Sequence, residues 1–169
     1  MKESIYILLG TNLGERLKHL YLGWELLAGV GGVQIVRSSG IYNSPAMEMS
    51  EPSPDFLNQV IEINTVFSPT QLLNEMKAIE MKMGRTEKGN YKSRIIDLDI
   101  LLYGNRIIDT DELTVPQREL LNRPFAIIPL VEIAPNIIHP VTKKSISEYI
   151  TKSSYTLVTL FEEYAATSR

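Results

Sequence analysis

The apolar residues of this chain fall into two alternating rhythms. Ile5-Tyr6-Ile7-Leu8-Leu9 is a short continuous apolar run that stops at Gly10, the pattern of a buried strand. Thr11 to Gly14 then offer caps and a turn. Leu17, Leu20, Tyr21, Trp24, Leu27 and Ala28 follow at helical spacing, and Gly29 to Gly32 end that helix. Val33 to Ser39 reads as a strand with Val33, Ile35 and Arg37 at alternating positions. Phe56 to Phe67 reads as another, with Val60, Glu62, Asn64 and Val66 opposite Ile61, Ile63 and Thr65. Ser68-Pro69-Thr70 starts a second helix, a capping residue followed by proline at the first helical position. Its apolar face is Leu72, Leu73, Met76, Ile79 and Met83, and Gly84 ends it.

The run from Arg94 to Gly104 reads as a strand carrying two carboxylates. Strict alternation sends Asp97 and Asp99 to one face and Ile96, Leu98, Ile100 and Leu102 to the other. Asn105 to Asp109 form a small hairpin return. Asn122-Arg123-Pro124 opens a short helix through Phe125 to Ile133, stopped by Pro135, and Ile146 to Leu160 adds a C-terminal helix. Two polar stretches, Ile41 to Pro54 and Thr86 to Ser93, read as long loops, which in compact domains are usually functional. The order β-α-β-β-α-β predicts an α+β, ferredoxin-like core, an antiparallel sheet with helices packed on it, plus extra C-terminal helices. The 169 residues are expected to form one domain.

Composition narrows the chemistry. An apolar fraction of 44% and a charged fraction of 22% suit an ordinary globular protein. A net charge of −3 argues against a general nucleic-acid binder. With no cysteine, thiolate nucleophiles, disulfides and zinc–thiolate sites are excluded. His19 and His139 lie far apart and show no ligand spacing. No apolar run is long enough to span a bilayer and the first residues lack a signal-peptide core, so a cytoplasmic location is the default. Neither a P-loop nor a Gly-x-Gly-x-x-Gly fingerprint is present.

Paired carboxylates on a half-buried strand repel each other and resist desolvation. A divalent cation removes that cost, and Mg²⁺ takes one or two carboxylates plus substrate phosphates. Arg85, Lys88, Lys92 and Arg94 are close in sequence and suited to phosphate oxygens. A nucleotide triphosphate with Mg²⁺ fits this set; an edge strand whose carboxylates face water is the alternative. Glu80 reads either as a cleft residue or as a solvated glutamate. Asn58 reads as a reader of a flat heterocycle, through paired donor and acceptor, or as an edge-strand amide bonded to water. Phe56, Tyr91 and Phe125 are candidate aromatic walls.

Together these segments resemble the 6-hydroxymethyl-7,8-dihydropterin pyrophosphokinase family of folate biosynthesis. The matching pieces are Leu9 to Gly14, Phe56-Leu57-Asn58, Ile79-Glu80 to Gly84-Arg85, Arg94 to Leu102, Leu113 to Pro116, Arg123-Pro124-Phe125, Glu132 to Pro135 and His139-Pro140, over roughly residues 4 to 150. The resemblance implies transfer of pyrophosphate from ATP to the hydroxymethyl group of a reduced pterin, giving AMP. It implies that Asp97 and Asp99 bind two Mg²⁺, and that Arg85 and Arg94 hold phosphates with Arg123 assisting. Lys77, Glu80, Ile100, Thr114 and Gln117 fall on the ATP side, Ile100 through its backbone. Ser44, Pro45, Phe56, Asn58, Tyr91 and Phe125 fall around the pterin. The loops from Tyr42 to Pro54 and from Thr86 to Ser93 are expected to close over substrates. Partners are then small molecules, with no nucleic acid or membrane, and a monomer is expected with a homodimer left open.

The chain departs from the family pattern at Gln117, where histidine is usual, and at Glu87, Tyr91, Lys92-Ser93 and Lys77. These departures keep open a second reading, a member that binds pterin or nucleotide but transfers poorly. A ferredoxin-like nucleic-acid module is disfavoured by the acidic balance and by the missing aromatic pair on a central strand.

Overall fold

The structure is a computed structural model that describes residues 2–46, 52–84 and 95–161. Strand β1 (Ile5–Thr11) is buried along its whole length, because it lies in the middle of a sheet covered on both sides. It pairs antiparallel with β4 (Phe56–Thr65) on one edge and β5 (Asp97–Tyr103) on the other. The far edge of β4 carries two short antiparallel partners in line. Strand β2 (Val33–Ser38) runs along Ile61–Thr65, and β3 (Tyr42–Ser44) along Phe56–Asn58. Ser39 joins them: its hydroxyl accepts from the Val60 amide at 3.0 Å, and its carbonyl accepts from Gln59 Nε2 at 2.9 Å. Strand β6 (Ile108–Asp109) pairs with β7 (Thr114–Val115) in a separate ribbon.

Helices α1 (Arg16–Ala28) and α2 (Pro69–Lys82) cover one face, and α3 (Pro124–Ile133) covers the other. Leu20 and Leu27 of α1 and Leu72, Met76 and Ile79 of α2 pack on Ile7, Leu9, Ile61, Ile63, Leu98 and Ile100. Ala126, Ile127, Leu130 and Ile133 of α3 pack on Tyr6, Leu8, Val60 and Leu102. The α2 start is as predicted: Ser68 Oγ accepts from the Gln71 amide at 3.3 Å, and Gln71 Oε1 accepts from the Ser68 amide at 2.9 Å.

Several expectations are corrected. Ile41 to Pro54 is not all loop, since Tyr42–Ser44 satisfies the open edge of β4. Helix α1 is not capped by Thr11 or Asn12. Glu15 occupies the cap position without a side-chain capping bond, and the Asn12 side-chain amide instead donates to the Pro54 carbonyl at 3.3 Å. Alternation fails twice, each time at a bulge. In β2 the register steps from Ile35↔Ile63 to Arg37↔Glu62, which pushes Val36 out and sets the Arg37 guanidinium 2.7 Å from the Glu62 carboxylate. In β5 it steps from Ile100↔Ile7 to Leu102↔Tyr6. Leu102 therefore joins the core under α3, not the face of Leu98 and Ile100. The hairpin return lies further on than expected, at Ile108–Asp109 with Thr114–Val115. The C-terminal helix is broken into a 3₁₀ turn (Ile146–Tyr149), α4 (Lys152–Leu157) and β8 (Thr159–Leu160), which pairs with β3. Thr151 starts a new helix there, its amide donating to Ser154 Oγ at 3.1 Å, while Ile150 and Val158 are extended.

Candidate active site

The register places the candidate residues in rows across the sheet. Gly10 is opposite Asn58 on one side and Asp97 on the other. Leu8, one row below, is opposite Val60 and Asp99. Directly opposed residues project to the same face. Val60 and Leu8 belong to the core under α3, so Asn58, Asp97 and Asp99 all open on that face. Tyr42, opposite Asn58, extends the upper row. Burial pushes its phenol up to about 12, with the Glu132 carboxylate adding to the shift, so it stays a neutral hydroxyl.

Asn58 is buried, and its Nδ2 donates to Ser44 Oγ at 2.7 Å. Among the described residues this is the side chain's one hydrogen bond. Its Oδ1 and second N–H remain for a ligand, the acceptor–donor pair that reads a heterocycle edge. Gly10 forms the floor beside it. A Cβ there would lie 3.3 Å from Asn58 Oδ1 and 3.7 Å from Phe56 Cδ1. Phe56 is half-buried and opposite Ser44, so its ring borders the same place.

Asp97 and Asp99 are half-buried. Among the described residues no group of three or more histidine, aspartate or glutamate side chains could hold a metal. Two carboxylates on one face are nonetheless what Mg²⁺ takes when substrate phosphates complete its shell. Between them, the Leu98 amide donates to Glu80 Oε1 at 2.9 Å. Glu80 is buried and braces the carboxylate strand from α2.

The other described candidates take the following places. Gln117 Oε1 accepts from the Glu119 main-chain amide at 2.8 Å, and the Gln117 main-chain amide donates to the bulged Leu101 carbonyl at 2.9 Å. Its side chain therefore caps a turn. Arg118 Nη2 reaches Asp109 Oδ1 at 3.5 Å and Thr114 Oγ1 at 3.4 Å. The Ile100 side chain lies in the α1/α2 core, and Lys77 and Pro45 are half-buried. Arg123 precedes α3, with its guanidinium 5.7 Å from the Phe125 ring centre. Arg85, Glu87, Lys88, Tyr91, Lys92 and Arg94 lie outside the described residues, as does part of the first polar loop. A cleft of about 750 Å³ lined by Arg16, Tyr21, Leu57 and Phe161 belongs to the α1 face and shares none of the site residues. Gly10 and Tyr42 were not singled out from sequence; pairing register alone puts them beside Asn58.

The sequence matches the family described as 7,8-dihydro-6-hydroxymethylpterin-pyrophosphokinase (HPPK) over residues 6–135. It is 38% identical over 137 residues to the 2-amino-4-hydroxy-6-hydroxymethyldihydropteridine pyrophosphokinase of Haemophilus influenzae, covering 81% of this chain and 85% of that one. The protein of the same name from Aquifex aeolicus is 37% identical over 146 residues, covering 86% and 89%. The folic acid synthesis protein fol1 of Pneumocystis carinii is 37% identical over 150 residues, but the chain spans only 20% of it. Among solved structures, the wild-type HPPK-DHPS of Plasmodium falciparum with pterin and p-hydroxybenzoate superposes with a TM-score of 0.71 at 14% identity. That match covers 95% of this chain and 46% of the other.

Proposed function

We propose, from the premise that the chain belongs to the 7,8-dihydro-6-hydroxymethylpterin-pyrophosphokinase family, that it transfers pyrophosphate from ATP to the hydroxymethyl oxygen of 6-hydroxymethyl-7,8-dihydropterin in folate synthesis. The observation that carries this reading is the row Asn58–Gly10–Asp97, with Asp99 beneath it on the same face. It sets a heterocycle-reading amide and a pair of carboxylates side by side across one open glycine.

In the reaction the pterin hydroxyl oxygen bonds to the β-phosphorus of ATP. The bond from that phosphorus to the oxygen bridging the α-phosphate breaks, AMP departs with that oxygen, and the hydroxyl proton is lost. Phosphoryl transfer needs positioning and charge neutralisation more than covalent help. Asn58, fixed by Ser44, orients the pterin edge, and Phe56 walls the ring. Asp97 and Asp99, held in line by Glu80, would bind Mg²⁺, which when present neutralises the phosphates and orients the two substrates. Arg85, Arg94 and Arg123 complete the phosphate set in this reading, and Phe125 the pterin wall. The fold reading is ferredoxin-like, supported by the order β5-β1-β4-β2 and the connections through α1 and α2.

Binding without transfer has one observation behind it: the side chain of Gln117 is engaged in its own turn. One assay separates the two. Purified protein is given ATP, Mg²⁺ and the pterin. AMP together with pterin diphosphate is expected, and Asp97→Asn and Asp99→Asn should each abolish both. ADP as product would indicate an ordinary kinase. Pterin binding with neither product would establish the second reading.

A further inference from the structure

Ser44 and Phe56 are the last paired residues before the chain leaves β3 and returns as β4. Whatever holds that opening decides where the Phe56 ring and the Asn58 amide stand. The hold comes from the other side of the sheet. Asn43 is opposite Leu57, and Leu57 lies in the α1/α2 core. Asn43 therefore projects away from the pocket, toward α1. There Arg16, the first residue of α1, donates from Nη1 to the Asp55 carbonyl at 2.8 Å and to Asn43 Oδ1 at 3.3 Å. Asn43 Nδ2 donates in turn to Asp55 Oδ2 at 3.1 Å. One turn earlier, Asn12 Nδ2 donates to the Pro54 carbonyl at 3.3 Å.

Four side chains thus tie the β1–α1 connection to both ends of the β3–β4 connection. The shortest of these bonds is charge-assisted and made to main chain, the kind that fixes backbone position most firmly. It acts on the residue immediately before Phe56. From these contacts we infer that Arg16 is a positioning residue for the pterin: it sets the spacing between Ser44 and Phe56 from behind the pocket and touches no substrate. The inference rests on the pyrophosphokinase reading of the Asn58 face.

The test is calorimetry with a pterin analogue and with a non-hydrolysable ATP analogue plus Mg²⁺, alongside KM for each substrate. Arg16→Ala is expected to weaken the pterin analogue about tenfold, the loss of about one charge-assisted hydrogen bond, and to raise KM for pterin while KM for ATP stays unchanged. Arg16→Lys keeps one donor and should recover part of the loss. Asp55→Ala should be milder still, because the main-chain acceptor survives. If Arg16→Ala unfolds, Arg16→Lys carries the test, and its pterin affinity must fall relative to its ATP affinity. Unchanged pterin affinity, or equal losses for both ligands, overturns the positioning role. Asn58→Ala, measured in parallel, separates the two levels. If it loses the pterin and Arg16→Ala does not, only the clasp falls. If Asn58→Ala also binds the pterin normally, the reading of the face falls with it.

Discussion

At the scale of single residues, the site depends on what Gly10 lacks. Its neighbours across the sheet are an amide and a carboxylate, and a methyl group would press on Asn58 Oδ1 at 3.3 Å. Gly10→Ala is therefore expected to shift the amide and fill part of the floor. The pterin analogue should bind about tenfold more weakly, or about 1.4 kcal/mol, with the ATP analogue unaffected. Calorimetry with both ligands checks it, and equal pterin affinity would place the heterocycle elsewhere. Gln117 uses its side-chain oxygen to close the turn before the 3₁₀ segment Leu120–Asn122, an acceptor role that does not use its N–H₂ donors.

At the scale of elements, β5 is held by a contact no sequence pattern announces. Glu80 Oε1 accepts from the Leu98 amide, between the two aspartates. Glu80→Ala leaves a buried N–H without its acceptor, at a cost of about 1–3 kcal/mol, and loosens the strand that aligns the carboxylates. Glu80→Gln keeps an acceptor oxygen and should retain most of the stability. Denaturant unfolding of the two variants, with Mg²⁺ dependence of turnover beside it, is the measurement. If alanine costs no more than glutamine, the brace is not needed. The β5 bulge belongs to the same account, because the carbonyl of Leu101 is bonded to the Gln117 amide instead of within the ladder to β1.

At the scale of the whole molecule, the turn from His139 to Lys144 gives the fold a pH dependence. His139 is buried, and its Nδ1 accepts from the amides of Val141 at 3.3 Å and Thr142 at 3.2 Å. Burial lowers its pKa below the usual histidine value of 6.5. A proton at Nδ1 would face two donors. With the folded value depressed, the unfolded chain binds more protons, so stability is fully present above about 6.5 and is lost as pH falls through the folded pKa. Urea midpoints taken on either side of that window should fall for the wild type on acidification. His139→Asn retains a side-chain acceptor for the turn and should show a smaller fall. An equal fall in both would assign the acid sensitivity to other groups.

Periodicity located the principal strands and both long helices on the α1/α2 face, and residue type located the cap at Ser68 and the helix opened by Pro124. The first two are local properties of spacing, and each is set by one face that must be buried. The motif order likewise marked Asn58, Asp97 and Asp99. What the sequence could not supply was pairing. Only the antiparallel register brings Asn58 and Asp97 to either side of Gly10, since residues far apart in the chain become neighbours only when strands align. The bulges at Val36 and Leu101 arise from partners on other segments, an ion pair with Glu62 in one case and a main-chain bond to Gln117 in the other. The same holds for Glu80 and Arg16. Glu80 reads in sequence as a cleft residue or a solvated glutamate and Arg16 carries no motif, and each is given its work by a main-chain group that only the tertiary structure brings within hydrogen-bonding distance.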